Sequence, residues 1–201
     1  MSSIQTVTRT VTASWDAVDI RDAKKHLELP DAATAHDSLL TTLIEAAREI
    51  VEGDTGLIIP QSTCVLNWDT WPDEFVLPVR PASSVTSIKY YDTAGSQQTW
   101  SSANYSLDAA RSSPTIFYAY NVTTPSLRSI ENAVEVTWVA GYASSAAVPE
   151  KVKQCVLIKL AQLFIDREGM ENVRANPRGN PWEFESAYQA MVRRLMRSSY
   201  P

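Results

Sequence analysis

Glu45, Glu49 and Glu52, with Arg48 among them, recur at spacings of three and four in this 201-residue sequence. Two carboxylates held together can divide acid and base roles, so a paired-carboxylate hydrolase is the first chemistry to weigh. Residues three and four apart on a helix pair with one another instead, and an Arg48 to Glu52 pair on a solvated outer face is the preferred reading. His26 and His36 flank Asp31 and Asp37, but none of these has the tight spacing of a metal-ligand set, and surface or cap-proximal histidines are expected. No Ser sits in a Gly-x-Ser-x-Gly elbow, and the six glycines form no phosphate loop. Cys64 and Cys155 have no histidine after His36 to activate them, so both are expected to be small buried hydrophobes. No catalytic, cofactor-binding or metal residue is assigned, and the chain is not expected to be an enzyme.

The elements that carry these residues are marked in the sequence. From His36 to Glu52, Leu39, Leu40, Leu43, Ile44, Ala47, Ile50 and Val51 recur at spacings of three and four and predict an amphipathic helix. Asp37 stands where an anion favours the helix dipole, and Gly53 and Gly56 stand where a left-handed residue can end the helix. A shorter helix is predicted over Asp19 to Leu29, ended by Pro30 and preceded by a Thr-rich extended arm.

From Ser62 the period changes to two. Strands are predicted at 63–68, 85–91, 98–100, 105–108, 115–118 and 133–140, with Val134, Val136, Trp138 and Ala140 on one face of the last. Pro149 then opens a helix striped with Val152, Val156, Leu157, Leu160, Leu163 and Phe164 and closed by Gly169. Residues 171–181 read as a loop, and a last amphipathic helix is predicted over Trp182 to Arg197.

This order predicts an α+β chain: a small α-helical bundle formed by N- and C-terminal helices, with an inserted antiparallel β-sheet or sandwich. The expected division of a single 1–201 domain is N-terminal helices over 16–60, a β insertion over 61–142 and C-terminal helices and tail over 148–201.

The formal net charge of −5 argues against a surface built throughout to grip nucleic acid. The charge is unevenly placed: residues 31–60 hold one Arg against six acidic residues, and residues 172–201 hold five Arg against two Glu. Two cysteines outside any Cys-x-x-Cys spacing predict neither a disulfide framework nor a zinc site, and point to folding in a reducing cytoplasm. The first fifteen residues hold no continuous apolar run of the kind a secretory signal has, and no stretch approaches the roughly 20 apolar residues of a membrane span.

Asn104-Tyr-Ser106 and Asn121-Val-Thr123 match a glycosylation pattern that a Ser/Thr-rich chain produces by chance. The six tryptophans, at 15, 68, 71, 100, 138 and 182, are expected mainly in the core or at subunit interfaces. Exposed rings on a sheet would instead mark a β-rich carbohydrate-binding module, the alternative from another class.

Three segments resemble the head-to-tail connector, or head-completion adaptor, proteins of tailed bacteriophages. The first is Ala23-Lys-Lys-His-Leu27 with Asp37-Ser-Leu-Leu-Thr-Thr-Leu-Ile-Glu-Ala-Ala47 and Thr55-Gly56. The second is Leu77-Pro-Val-Arg-Pro81 with Ser84-Val-Thr-Ser-Ile-Lys-Tyr-Tyr-Asp92 and Gly95. The third is Asn132-Ala-Val-Glu-Val136 with Ala140-Gly-Tyr142, Val148-Pro149, Lys153-Gln154 and Asp166-Arg-Glu168. Together they span most of residues 20–170, and their order and spacing form the signature.

The resemblance implies a structural ring of about a dozen subunits beneath the portal of a DNA-filled capsid. Such a ring joins the portal protein to a stopper or tail-completion protein and lets double-stranded DNA pass without sequence-specific binding. The location implied is the neck of the virion, after synthesis in the host bacterial cytoplasm, with no membrane partner. A stopper or tail-completion protein is the nearer alternative. On the ring reading, Glu45, Glu49 and Glu52 are candidates to face the channel, where repulsion from phosphates would let the duplex slide. Arg193, Arg194, Arg197 and Tyr200 are candidates for the portal interface, although a solvated, dipole-favoured helix end explains the basic residues equally simply.

Overall fold

The computed structural model describes residues 7–13, 15–166 and 181–197. These are α+β, with four helices and two antiparallel sheets, and they divide into two compact units. One comprises the described residues of Met1–Ala13 and Gln61–Gly141, the other those of Ser14–Pro60 and Tyr142–Ser199.

In the β unit the alternating burial of the sequence becomes a five-stranded antiparallel sheet. Its strands are β1 (Thr8–Val11), β2 (Ser62–Trp68), β4 (Ala82–Tyr91), β5 (Gln97–Trp100) and β8 (Val134–Ala140), in the order β1-β2-β8-β4-β5. The central strand β8 turns Val134, Val136, Trp138 and Ala140 inward, and its register sets Trp138 opposite Cys64 of β2 and Val136 opposite Ile88 of β4. Period-two side chains on adjacent strands thus share one buried face. A second sheet, in the order β3-β7-β6, joins β3 (Phe75–Val76), β6 (Tyr105–Asp108) and β7 (Thr115–Tyr118).

Aromatic rings link the two sheets of this unit. Trp68 packs edge-on against Phe75 at 5.0 Å, Trp100 stacks on Tyr105 at 5.7 Å, and Trp71 lies 4.9 Å from Trp100. The Trp71 indole donates to Pro125 O at 2.8 Å, so the polar edge of a ring in the cluster is satisfied.

The helical unit contains α1 (Ile20–His26), α2 (Asp37–Thr55), α3 (Glu150–Asp166) and α4 (Pro181–Arg197). Its core takes Ala23 from α1, Ile44, Ala47 and Val51 from α2, Val152, Val156 and Leu160 from α3, and Tyr188, Val192 and Leu195 from α4. For α2 and α3 these residues belong to the apolar stripes read from the sequence. Asp19 caps α1 by accepting from Arg21 N at 2.7 Å, and Gly56, at φ 68°, ends α2 in the left-handed conformation.

Several elements differ from expectation: β3 has no counterpart among the expected strands, and β4 begins at Ala82 and not at Val85. The N-terminal arm is not merely extended: residues 8–11 pair with β2 as an edge strand. The helix expected to stop at Glu52 runs one turn further, to Thr55, whose hydroxyl bonds back to Val51 O at 2.6 Å. The end of the 149–169 helix and the 171–181 loop expected from composition fall, except for Pro181, outside the described residues from Arg167 onward.

Candidate functional site

The acidic residues of α2 separate into two environments. Glu45 and Glu49 are exposed, on the face opposite the buried stripe of Leu40, Ile44, Ala47 and Val51. Glu52 is not on that face: it is 7% exposed, which corrects the placement of all three on the outer part of the helix. Its Oε1 accepts from Ile59 N at 2.7 Å and its Oε2 accepts from Arg48 at 3.1 Å. A buried carboxylate is tolerated because both oxygens are engaged. The Arg48 to Glu52 pair anticipated from spacing is present, but it braces the chain as it leaves the helix. Arg48 also approaches Glu49, at 3.7 Å.

The histidines and their neighbouring aspartates do not assemble. The His36 ring meets Phe164 edge-on at 6.1 Å, and burial lowers the pKa of His26. Asp37 is occupied by Lys24, whose Nζ lies 2.6 Å from Oδ1 and also donates to Asp31 O at 3.2 Å. Among the described residues no three His, Cys, Asp or Glu side chains come together as a metal site would require. Burial pushes the Cys155 thiol up to about 11, and raises Cys64 despite the opposing charge of Arg9. Both therefore stay protonated, and poorly nucleophilic, at neutral pH.

On α4, Tyr188, Val192 and Leu195 turn inward while Ala187, Ala190, Arg193 and Arg194 are exposed. The Tyr188 hydroxyl donates to Asp54 Oδ2 at 2.6 Å, and Lys159 Nζ sits 4.6 Å from the centre of its ring. Lys159 also reaches Glu185 at 3.5 Å. These contacts fix which side of α4 faces outward. The Arg197 side chain and Tyr200 lie outside the described residues.

Among the described side chains, which do not include that of Trp182, the tryptophans give no broad exposed platform for stacking on a sugar. Trp138 and Trp100 are buried, Trp68 and Trp71 are half-buried in the aromatic cluster, and Trp15 packs against the helical core. Tyr120, 93% exposed beside Asn121 at φ 57°, is the one large aromatic fully presented among the described residues. No helix among them is long and apolar enough to cross a membrane.

Helices in one unit and two antiparallel sheets in the other define an α+β fold shared with three solved chains of gene transfer agent particles. One is a chain from the neck of an empty gene transfer agent (GTA) particle, computed with C6 symmetry, at 24% identity, 94% of each chain covered and a TM-score of 0.67. Another belongs to the virion of the native GTA particle, at 22% identity over 93% of this chain and 94% of that one, with a TM-score of 0.68. A third is from the neck of the native GTA particle computed with C12 symmetry, at 22% identity, 94% of each chain covered and a TM-score of 0.63. The fold therefore agrees with the connector resemblance. No family model matches the sequence, and no curated protein matches it.

Proposed function

We propose that this chain is a structural adaptor of a phage-type neck, forming a ring of about twelve subunits beneath the portal. The ring joins the DNA-filled head to a stopper or tail component and passes double-stranded DNA through its centre. Its helices serve as a bundle-like platform and its sheets as the inserted part of one connector domain. The role is one of contacts and not of catalysis.

The observation that carries this reading is the likeness, over 94% of both chains, to a chain in a GTA neck. Necks computed with C6 and C12 symmetry make a ring the natural assembly for a chain of this fold. Two thiols held protonated by burial, and Glu52 engaged as a structural brace apart from the exposed Glu45 and Glu49, are in keeping with a non-enzymatic role. A ring multiplies weak pairwise contacts into a strong joint, which suits a junction under internal pressure.

Electron microscopy of particles from cells producing this chain tests the proposal. A ring of this chain directly below the portal is the expected result. Density for it only in the tail, or no incorporation into particles, would overturn the adaptor reading.

A further inference from the structure

Opposite charges with few or no partners among the described residues stand on two helices of the same unit. Glu45 on α2, and Arg193 and Arg194 on α4, are exposed and form no ion pair among the described residues. Glu49, one turn beyond Glu45, has only the 3.7 Å approach of Arg48.

Gly53 continues the row Glu45, Glu49 at the next i+4 position. It lies inside the helix, where glycine is less favourable than alanine. A Cβ built on it would meet nothing within 4 Å, so no neighbour among the described residues requires a glycine there. Close approach by another backbone is the remaining steric use for the missing side chain. The exposed face of α4 has matching small residues, Ala187 and Ala190, followed by Arg193 and Arg194.

We propose that copies of this chain associate head to tail, with the Glu45–Glu49–Gly53 face of α2 in one copy packed antiparallel on the Ala187–Ala190–Arg193–Arg194 face of α4 in the next. The axial fit supports this orientation. Glu45 and Gly53 are about 12 Å apart along one helix, and Ala187 and Arg194 about 10 Å apart along the other. Gly53 then meets Ala187, small against small, while the arginines reach Glu45 and Glu49. A parallel arrangement would set Arg194 on Gly53 and leave the glutamates against alanine. The two faces differ, so the contact is heterologous and repeats around a ring.

The inference rests on the ring reading above and names the surfaces of that ring. It accounts for both charged faces and the glycine together. A channel role for the glutamates or a portal role for the arginines would not by itself involve Gly53.

Two full-length chains, one carrying Gly53→Cys and the other Ala187→Cys, test the contact when mixed with a short bismaleimide. The native Cys64 and Cys155 are fully buried, and the wild-type chain reports any background from them. The mixed dimer is expected to exceed that from a control in which Thr99→Cys, on exposed β5, replaces Ala187→Cys. Glu45→Lys with Glu49→Lys, or Arg193→Glu with Arg194→Glu, is expected to lower the yield about tenfold. Combining the first reversal in the Gly53→Cys chain with the second in the Ala187→Cys chain should restore it.

A yield equal to the Thr99 control, or unaffected by charge reversal, overturns the proposal. Loss of portal association with the mixed dimer intact would assign the arginines to the portal and also overturn it. A mixed dimer without a ring below the portal keeps the copy-to-copy contact and removes the neck reading; a ring without the mixed dimer does the reverse.

Discussion

The Tyr188 hydroxyl of α4 donates to the Asp54 carboxylate of α2 at 2.6 Å, joining residues 134 positions apart in the chain. The acceptor is charged and exposed while the tyrosine ring is fully buried. The bond therefore ties the outer margin of one helix to the buried side of the other.

Tyr188→Phe keeps the ring packing and removes the donor, so it should cost about 1–2 kcal/mol in urea unfolding of the full chain. The pH dependence follows from the same phenol. Burial, followed by the Asp54 hydrogen bond and charge, pushes its pKa up, and burial with the charge of Asp73 pushes Tyr118 up to about 12. The unfolded chain loses these protons first, near pH ~10, so stability should be full below that value and fall as pH rises toward about 12. Tyr118→Phe should flatten this alkaline loss when urea midpoints are compared across the range.

Glu52 sits between Arg48 and the backbone of Ile59. Glu52→Ala removes the nearer carboxylate of the half-buried Arg48, leaving it only the 3.7 Å approach of Glu49, and strands the Ile59 backbone donor; it should destabilise by about 2–3 kcal/mol. Glu52→Gln retains a carbonyl for Ile59 N and should lose less. Equal losses from the two variants would show that charge, and not the acceptor for Ile59, dominates.

Gly53→Ala should raise the unfolding free energy of the isolated chain by about 0.5–1 kcal/mol, since the added methyl meets open space and the backbone is helical. Thermal unfolding of the monomer measures this apart from any effect on assembly.

Cys155 should resist thiol reagents at neutral pH and label only as the chain opens, because it is fully buried and its thiol is pushed up to about 11. Labelling followed against urea should track loss of helical circular dichroism.

The strands at 105–108 and 115–118 were legible to the residue, because strand-favouring residues such as Tyr105, Thr115, Ile116, Phe117 and Tyr118 and the Ser- and Pro-containing stretch between the two are local signals. Edge strand β1 was not, since Thr8 to Val11 become a strand only through pairing with β2, more than fifty positions away. Spacing alone gave the Arg48 to Glu52 pair. The inward turn of Glu52 depends on Ile59 lying where its oxygen reaches, which no helical periodicity encodes. Nothing in the local sequence marks Lys24 as buried; the position of Asp37 and Asp31 O holds it inside. The functional reading came from motif order, which survives where no single residue carries chemistry.

The helical unit draws on two stretches of chain, one ending at Pro60 and the other beginning at Tyr142. During synthesis α2 therefore leaves the ribosome long before α3 and α4 exist to cover its apolar stripe. At roughly 5–20 residues per second, that stripe waits several seconds for its partners. In that interval the nascent chain would be a client for holdase chaperones, and truncation after the sheets would yield an aggregation-prone fragment.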